Sequence, residues 1–218
     1  MPSSAATAHL HERLDTGLNA LKLKLTDVQC GRLIEYIQHL AQWNAAYNLT
    51  AVRDPLEMVG RHLLDSLAAS PYITQGPVLD LGTGAGLPGI PLAIAHPELD
   101  LVLLDSVGKK IRFVQHVVAQ LGLENVTVVQ ARAEAYQPAQ QFAIITARAM
   151  ADLSVLCAHV CRLRQPQARL LAFKGRYPQD ELSALSACAG DVRLHLLNVP
   201  FVVGERHLVE IYFNSNRK

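Results

Sequence analysis

The sequence predicts an α/β fold: a helical N-terminal region, then a seven-stranded, mostly parallel sheet that ends in an antiparallel hairpin. Three observations predict it. The first seventy or so residues have helical periodicity, the chain from residue 78 alternates apolar β-rich runs with helical patterns, and the last two runs follow each other without a helix. With 218 residues and 50% hydrophobic content, the chain can bury such a core. We place the helical region at residues 1–72 and the sheet domain at residues 73–218.

The N-terminal region contains capped helices. One is predicted to begin at Thr26, a good N-cap, and it repeats apolar residues at intervals of three and four. Another is predicted to begin at Asp54, with Pro55 at its first helical position. Trp43 and Tyr47 are four residues apart, so we expect them to pack together within or between helices rather than to stack on bases.

The sheet domain is predicted from short apolar runs. Seven of them are expected to be strands: residues 78–81, 101–105, 126–130, 142–146, 169–173, 192–199 and 207–213. Four helical patterns lie between them: residues 87–96, 108–122, 150–163 and 178–187. Because apolar strands that alternate with helices form parallel sheets, the first strands should be parallel. The last two should pair as an antiparallel hairpin.

A glycine-rich loop joins the first predicted strand to the helical pattern after it. Gly84, Gly86 and Gly89 match the spacing G-x-G-x-x-G, in which glycine lets the backbone approach a ligand and a helix N-terminus offers free N–H groups. The loop follows the carboxyl end of its strand, where open parallel sheets bind ligands. This spacing alone fits a dinucleotide as well as another nucleoside-bearing cofactor.

Acidic residues at the ends of the first two strands bear on the choice of cofactor. Asp105 ends the second strand, and its carboxylate can accept both hydroxyls of an adenosine ribose, which fits NAD and S-adenosyl-L-methionine equally well. The alternative for Asp105 is a helix cap for the residues from Ser106 onward. Asp80 ends the first strand, and a carboxylate facing the ligand would repel a pyrophosphate but attract an amino group and a sulfonium. Asp80 therefore favours S-adenosyl-L-methionine.

Several segments together resemble a known family, the RsmG (GidB) ribosomal RNA methyltransferases. They are VRDPLEMVGRHLLDSL, DLGTGAGLPGIPLA, LLDSVGKKIRFV, ARAEAY, ARAMADL, AFKG and GERHLVEI. The resemblance runs from about residue 30 to residue 213, and its most specific parts are the LPG-I-P extension of the glycine loop and the RHLLDS segment. It implies a class I (Rossmann-like) methyltransferase fold and methyl transfer from S-adenosyl-L-methionine to N7 of a guanine in 16S rRNA, in the decoding region of the small subunit.

The resemblance also implies cofactor contacts. It assigns them to residues of the glycine loop and of the segments after the third and fourth strands. With the loop glycines and Asp105, the predicted cofactor-binding set is Gly82, Gly84, Gly86, Leu87, Asp105, Ala133, Glu134 and Arg148. Two alternatives stay open: Glu134 could be a solvated loop acid, and Arg148 could pair with Asp152 one turn along the chain.

Basic residues near the carboxyl ends of the strands are candidates for RNA contacts. Lys109, Lys110, Lys174 and Arg176 follow the second and fifth strands, where RNA phosphates would pass a catalytic rim. The alternative is that they are ordinary solvated charges. With 20 Lys and Arg against 19 Asp and Glu, the whole chain has no strong basic field that would point to nucleic acid.

No catalytic residue and no metal site are predicted. The lone pair of guanine N7 can attack a methyl group without prior loss of a proton, so no general base is required. His62 and His207 are expected to pack or cap. Cys157, His159 and Cys161 do not share one helical face, which favours a buried helical stripe over a metal site.

The expected partner is 16S rRNA or the small ribosomal subunit, and the expected oligomeric state is a monomer. The four cysteines form no CxxC pair, and the N-terminus has no basic flank before an apolar core, so we expect reduced thiols in a cytoplasmic protein without a membrane span. Two other functions are weighed: a small-molecule methyltransferase whose N-terminal helices form a lid, and an NAD-binding regulatory protein.

Overall fold

In the computed structural model, residues 4–185 and 190–213 are described, and they begin with a helical region. Its elements are α1 (Ser4–Leu21), α2 (Asp27–Tyr47), α3 (Pro55–Met58), a π-helical turn (Val59–Leu64), α4 (Asp65–Leu67) and a 3-10 turn (Ser70–Tyr72). The predicted helix starts are confirmed. Thr26 and Gln29 form a reciprocal capping box at the start of α2, and the side chain of Asp54 accepts a hydrogen bond from the backbone N–H of Leu56.

The remaining chain forms one sheet with helices on its faces. The described strands are β1 (Val78–Leu81), β2 (Leu101–Asp105), β3 (Val126–Gln130), β4 (Phe142–Arg148), β5 (Arg164–Lys174), β6 (Val192–Leu196) and β7 (His207–Tyr212). The helices are α5 (Gly89–Ala95), α6 (Gly108–Leu121), α7 (Leu153–Val160) and α8 (Gln179–Ser183). The strand order is β3-β2-β1-β4-β5-β7-β6, with β1 to β5 parallel and β7 antiparallel to both β5 and β6. The predicted fold class and the terminal hairpin are therefore confirmed.

Several element bounds differ from the prediction. Strand β5 begins at Arg164, five residues before the predicted start, because Phe142 of β4 already pairs with Arg164 across an irregular register. Strand β6 ends at Leu196 rather than at residue 199. The helix predicted over residues 150–163 begins only at Leu153, since Asp152 before it has an extended backbone. Part of the pattern at 178–187 lies outside the described residues.

The N-terminal helices share an apolar core with the sheet domain. One apolar cluster combines buried side chains of α1 and α2, such as Leu14 and Leu33, with Phe113 of α6 and Leu103 of β2. The ring of Trp43 lies 5.6 Å from that of Phe113, between ring centroids. The interpretation of Trp43 as a packing residue is thus confirmed. The division at residues 72 and 73 stays a prediction from the sequence, because the two parts share this core.

Tyr36 connects the helical region directly to the glycine loop. Its side chain is fully buried, and its hydroxyl donates a 2.9 Å hydrogen bond to the backbone carbonyl of Ala85. Burial raises the pKa of the Tyr36 phenol, so the hydroxyl remains a donor at all ordinary pH values. Helix α2 therefore holds the loop in place through a hydrogen bond that no water can replace.

We expect Tyr36→Phe to lower the free energy of unfolding by about 1–3 kcal/mol, because it leaves the buried carbonyl of Ala85 without its donor. Tyr47→Phe is the matched control, since Tyr47 lies on the same helix but is 42% exposed. It should change stability by less than about 0.5 kcal/mol. Urea unfolding of both variants checks this, and equal midpoints and slopes would contradict it.

Candidate active site

The glycine loop needs glycine at several positions. Gly82, Gly84 and Gly86 have φ values of +72°, +60° and +90°, a region that disfavours side chains. At Gly89, an added Cβ would lie 2.1 Å from the Leu103 side chain, so only glycine permits the close approach of α5 to the sheet. The backbone N–H groups of Gly82 and Thr83 both donate to the carbonyl of Leu104 at 2.9 Å. The loop is thus a rigid turn at the carboxyl edge of β1 and β2.

Asp80 does not face a ligand, and here the structure corrects the sequence analysis. Its side chain is completely buried and accepts hydrogen bonds from Thr83 Oγ1 at 2.6 Å, Thr146 Oγ1 at 2.9 Å and the backbone N–H of Gly89 at 2.9 Å. Burial raises the pKa of the Asp80 carboxyl, against these hydrogen bonds and the nearby positive charge of Arg148. Asp80 holds the loop and the start of α5 together, and an attraction to a cofactor amino group is not its role.

Asp105 has the capping role that was considered for it. Its Oδ2 accepts a hydrogen bond from the backbone N–H of Gly84 at 2.9 Å, and its Oδ1 accepts one from that of Val107 at 2.8 Å. It therefore orders the glycine loop and caps the turn before α6. Each carboxylate oxygen has a second lone pair. Asp105 also lines a cavity, and its interaction with a ribose stays a prediction.

This cavity has a volume of about 240 Å³ and lies at the carboxyl ends of β1 and β2. Its lining combines backbone of the glycine loop, the Asp105 carboxylate, a lysine and apolar groups. The lining residues are Leu81, Gly82, Leu104, Asp105, Ser106, Lys110, Ala131, Ala133, Ala149 and Met150. A carboxylate beside apolar walls suits the ribose and the purine of an adenosine. The predicted residues Gly82, Asp105 and Ala133 are thus brought together.

A second cavity of about 640 Å³ lies next to the first, and Ala149 and Met150 line both. Its lining includes a charge cluster around the buried Asp65. Arg148 Nη1 lies 3.0 Å from Asp65 Oδ2, and Arg206 Nε lies 3.3 Å from Asp65 Oδ1. The suggested partner of Arg148, Asp152, is therefore wrong; Asp65 of α4 is closer because α4 faces the end of β4 across the cavity.

The histidines of this cavity have packing contacts. His62 is buried, and its Nε2 is 2.8 Å from Thr50 Oγ1. Burial, with the positive charge of Arg148, lowers the pKa of His62 from 6.5 to about 4, so the imidazole is neutral at physiological pH. His207 is also buried, with its ring edge-on to that of Tyr177 at 5.8 Å between centroids. The packing interpretation of both histidines is confirmed.

Other members of the predicted cofactor set lie away from the cavities. Leu87 is buried in the apolar core between the helices and the sheet. The side chain of Glu134 is 63% exposed, and its Oε1 lies 3.7 Å from Nε2 of His159, so its position is that of a solvated loop acid. Neither side chain is placed in a cavity, and for both a cofactor contact stays a prediction.

The four predicted RNA-binding residues differ in their surroundings. Lys174 Nζ is 2.6 Å from Glu181 Oε2 and 3.2 Å from the carbonyl of Ala151, which is a structural ion pair at the cavity wall. Lys109 is exposed and donates to the carbonyl of Tyr47 at 3.0 Å. Lys110 lines the smaller cavity, and Arg176 is exposed beyond β5.

Sequence reasoning missed Asp65, Met150 and Arg206 as cavity residues. Asp65 stands in the RHLLDS segment and Arg206 in GERHLVEI, both quoted for the resemblance. No spacing rule could connect them, because they come from a helix before β1 and a loop before β7. Met150 could have been found from its position two residues after the end of β4.

The described ranges, 4–185 and 190–213, contain no group of three His, Cys, Asp or Glu side chains arranged to hold a metal ion. Cys188 lies outside these ranges. Within them, no helix is both long enough and apolar enough to cross a membrane.

Comparisons with known proteins show the family of this chain. The family model for the rRNA small subunit methyltransferase G family matches residues 29–209. The protein called Ribosomal RNA small subunit methyltransferase G from Alkalilimnicola ehrlichii is 48% identical over 196 residues, which cover 90% of this chain and 89% of the relative. Its namesake from Xanthomonas campestris pv. campestris is 51% identical over 182 residues, which cover 83% and 85%.

Solved structures show the same fold at low identity. A SAM-dependent methyltransferase from Aquifex aeolicus aligns with a TM-score of 0.54 and 17% identity, over 73% of this chain and 94% of that chain. The tRNA methyltransferase TrmI from Aquifex aeolicus aligns with a TM-score of 0.57 and 15% identity, over 70% and 69%. With its glycine loop, its Asp105 cavity and these relatives, the chain belongs to the rRNA small subunit methyltransferase G family, and its cofactor is S-adenosyl-L-methionine.

Proposed function

We propose that this protein transfers a methyl group from S-adenosyl-L-methionine to N7 of one guanine in 16S rRNA of the small ribosomal subunit. The observation that carries the proposal is the adjacency of the two cavities. Ala149 and Met150 line both, so the cavity with the Asp105 carboxylate lies beside the one with the Arg148–Asp65 ion pair. The names of the relatives support rRNA as the substrate.

The cavity residues fit the cofactor. In the proposed arrangement Asp105 accepts hydrogen bonds from the ribose hydroxyls. Gly82, Gly84 and Gly86 provide backbone without side chains beside the cofactor. Ala133 forms part of the apolar wall, and the Arg148 guanidinium would be the cation for the methionine carboxylate. The backbone near Leu87 and Glu134 remains part of the proposed set, although their side chains lie elsewhere.

The bound cofactor supplies an electrophilic methyl group. The N7 lone pair of guanine forms the new nitrogen–carbon bond, the carbon–sulfur electron pair remains on sulfur, and no proton leaves the base. The protein therefore needs to position the guanine and to stabilise a positive charge that moves to the base. Asp65 lines the larger cavity, and its charge is offset there by the two arginines that it binds, so we assign this cluster a role in positioning rather than in stabilising the charge.

The groups in this cavity agree with a reaction that needs no general base. His62 is neutral, but its pKa of about 4 makes it a poor proton acceptor, and its Nε2 is already engaged with Thr50. Asp65 is held by two arginines. These contacts favour a nitrogen that is already nucleophilic over an exocyclic amine that must lose a proton.

For RNA binding we propose contacts by Lys110, which lines the smaller cavity, and by Lys109 and Arg176, which are exposed. Lys174 belongs to the same proposal, but its pairing with Glu181 supports mainly a role in shaping the wall. A monomeric, cytoplasmic protein with a helical part at residues 1–72 and a methyltransferase domain at residues 73–218 completes the proposal. The shared core opposes the alternative in which the N-terminal helices act as a lid over a small molecule.

The function is tested by transfer of a labelled methyl group to 16S rRNA, to an assembly intermediate and to the mature subunit. We expect one site of incorporation in at least one of these substrates, with strand cleavage there after borohydride and aniline treatment. Single-turnover rates at saturating cofactor and RNA should be nearly flat across neutral pH. Label in metabolites instead, or a product that resists the cleavage, would contradict the proposal.

We expect Asp105→Asn to weaken binding of S-adenosylhomocysteine roughly tenfold or more, since hydrogen bonds to a charged group contribute about 1.5–3 kcal/mol. Asp100→Asn is the control, because it makes the same change at an exposed position before β2. Calorimetric titration measures the dissociation constants, and urea unfolding measures stability. Lower stability with unchanged affinity would leave Asp105 with a capping role alone.

His62 should make stability depend on pH. The unfolded imidazole takes up a proton as the pH falls below 6.5, whereas the folded one does so only near its pKa of about 4. The contribution of the neutral His62 to the free energy of unfolding is therefore fully present above pH 6.5. About 3 kcal/mol of it is lost as the pH falls to 4.

We expect unfolding of His62→Gln to depend less on pH between 6.5 and 4 than unfolding of the wild type. His9→Gln removes an exposed histidine instead and should reproduce the wild-type profile. Unfolding in urea at several pH values compares the three proteins. A wild-type profile for His62→Gln would mean that His62 titrates as a solvated group.

Neutral replacement of Lys110 and Arg176 should weaken RNA binding. Each true phosphate contact contributes about 0.7–0.9 to the magnitude of the slope of log affinity against log salt concentration. Lys24→Gln is the control, because Lys24 is exposed before α2. Filter binding of a 16S rRNA transcript at several salt concentrations measures the slope, and an unchanged slope would remove both residues from the RNA contacts.

A further inference from the structure

A third cavity, of about 400 Å³, lies beside the larger active-site cavity. It is built from three separate parts of the chain: helix α1, the helical run at residues 55–64 and the loop at residues 197–206 that joins β6 to β7. Its charged lining residues are Arg13, Glu57, Arg61 and Arg206. Three guanidinium groups against one carboxylate make its lining positively charged.

One hydrogen-bond donor of Arg13, its Nε, has no acceptor in the described part of the protein. Its guanidinium carbon lies 4.1 Å from the centroid of the Phe201 ring, which holds the side chain by a cation–π contact. Its Nε is buried and has no hydrogen-bond partner among the described residues. A buried donor of a charged group without an acceptor is costly, and it indicates that an acceptor from outside the chain belongs here.

The partners of the other two arginines leave donors available. Arg61 Nη1 lies 3.8 Å from Glu57 Oε2, and both side chains are more than half exposed, so this pair is weak. Arg206 binds Asp65 through its Nε, and its Nη1 donates to the carbonyls of Glu205 and Gly175. Guanidinium groups arranged in this way match the oxygens of a phosphodiester.

The cavity adjoins the larger cavity of the candidate active site. Arg61 and Arg206 line both this cavity and the one that contains Arg148. An apolar surface borders it on the outside, because Phe201 is 43% exposed and Val203 is 98% exposed. Charge and apolar surface side by side suit a nucleotide, whose phosphate needs cations and whose base needs a flat apolar contact.

We propose that this cavity binds the nucleotide next to the target guanine, with its phosphate at Arg13 and Arg61 and its base against Phe201 and Val203. The inference rests on the proposed function, because the neighbouring nucleotide belongs to the same RNA strand. Helix α1 and the β6–β7 loop thereby form one side of the RNA path. The site holds the strand while the guanine occupies the larger cavity.

The test uses Val203→Glu, which places a negative charge at a fully exposed position of the site. The matched control is Val28→Glu, because Val28 is a 65% exposed valine on α2. It lies next to Gln29, whose amide contacts the carbonyl of Ile94 near the far end of α5. Filter binding of an unmodified 16S rRNA transcript with S-adenosylhomocysteine measures affinity, and single-turnover methyl transfer at saturating RNA measures the chemical step.

We expect Val203→Glu to weaken RNA binding about fivefold at low salt, by repulsion of a phosphate, and Val28→Glu to have no effect. Val203→Lys should tighten binding by a similar factor. Arg13→Gln should weaken binding roughly tenfold and lower the magnitude of the salt slope by about 0.7. Transfer at saturating RNA by the control Val28→Glu should stay within about twofold of the wild type, because Val28 lies outside the site.

Equal RNA affinities for Val203→Glu and Val28→Glu would overturn the inference, even if Arg13→Gln fails to fold. If the wild type methylates the transcript under that result, the proposed function stands and only this site fails. If instead the wild type binds the transcript with the expected response to Val203→Glu but transfers no methyl to any form of 16S rRNA, the reaction is wrong and the binding site stands.

Discussion

The clamp on the glycine loop is the constraint on which the rest of this structure depends. Asp80 accepts hydrogen bonds from Thr83 and Gly89. Asp105 accepts one from Gly84. Tyr36, on the N-terminal helices, donates one to the carbonyl of Ala85. A loop that lacks side chains at its glycines has few contacts of its own. These three buried side chains therefore stabilise the loop by hydrogen bonds, in place of the packing that glycine cannot provide.

The clamp also explains why the N-terminal helices are part of the enzyme core. Helix α2 contributes Tyr36 to the loop and an apolar face to α6, while the helical run from residue 55 to residue 67 carries His62 and Asp65 to the larger cavity. Asp65 then binds both Arg148 from the sheet and Arg206 from the β6–β7 loop. A change in the position of these helices would move the charge cluster, so the helical region positions the site and supports the sheet at the same time.

Most of the fold could be predicted from local patterns. Thr26 and Asp54 could be recognised as caps from the sequence, because a capping side chain binds backbone at most three positions away. The strands were visible as apolar runs, and the glycine positions were visible because the turn requires positive φ. The extension of β5 to Arg164 was not visible, because a polar stretch becomes a strand only when its neighbour offers hydrogen bonds.

The sequence by itself determined the element types, the glycine loop, the family and, through the family, the cofactor. Only the tertiary structure decided what the charged residues do: Asp80 faces inward, Arg148 pairs with Asp65 rather than Asp152, and Lys174 pairs with Glu181. The physical reason is the range of the interactions. Caps, turns and periodicity act between residues a few positions apart, whereas the partner of a charge is set by which distant segment the sheet and helices bring within a few ångströms of it.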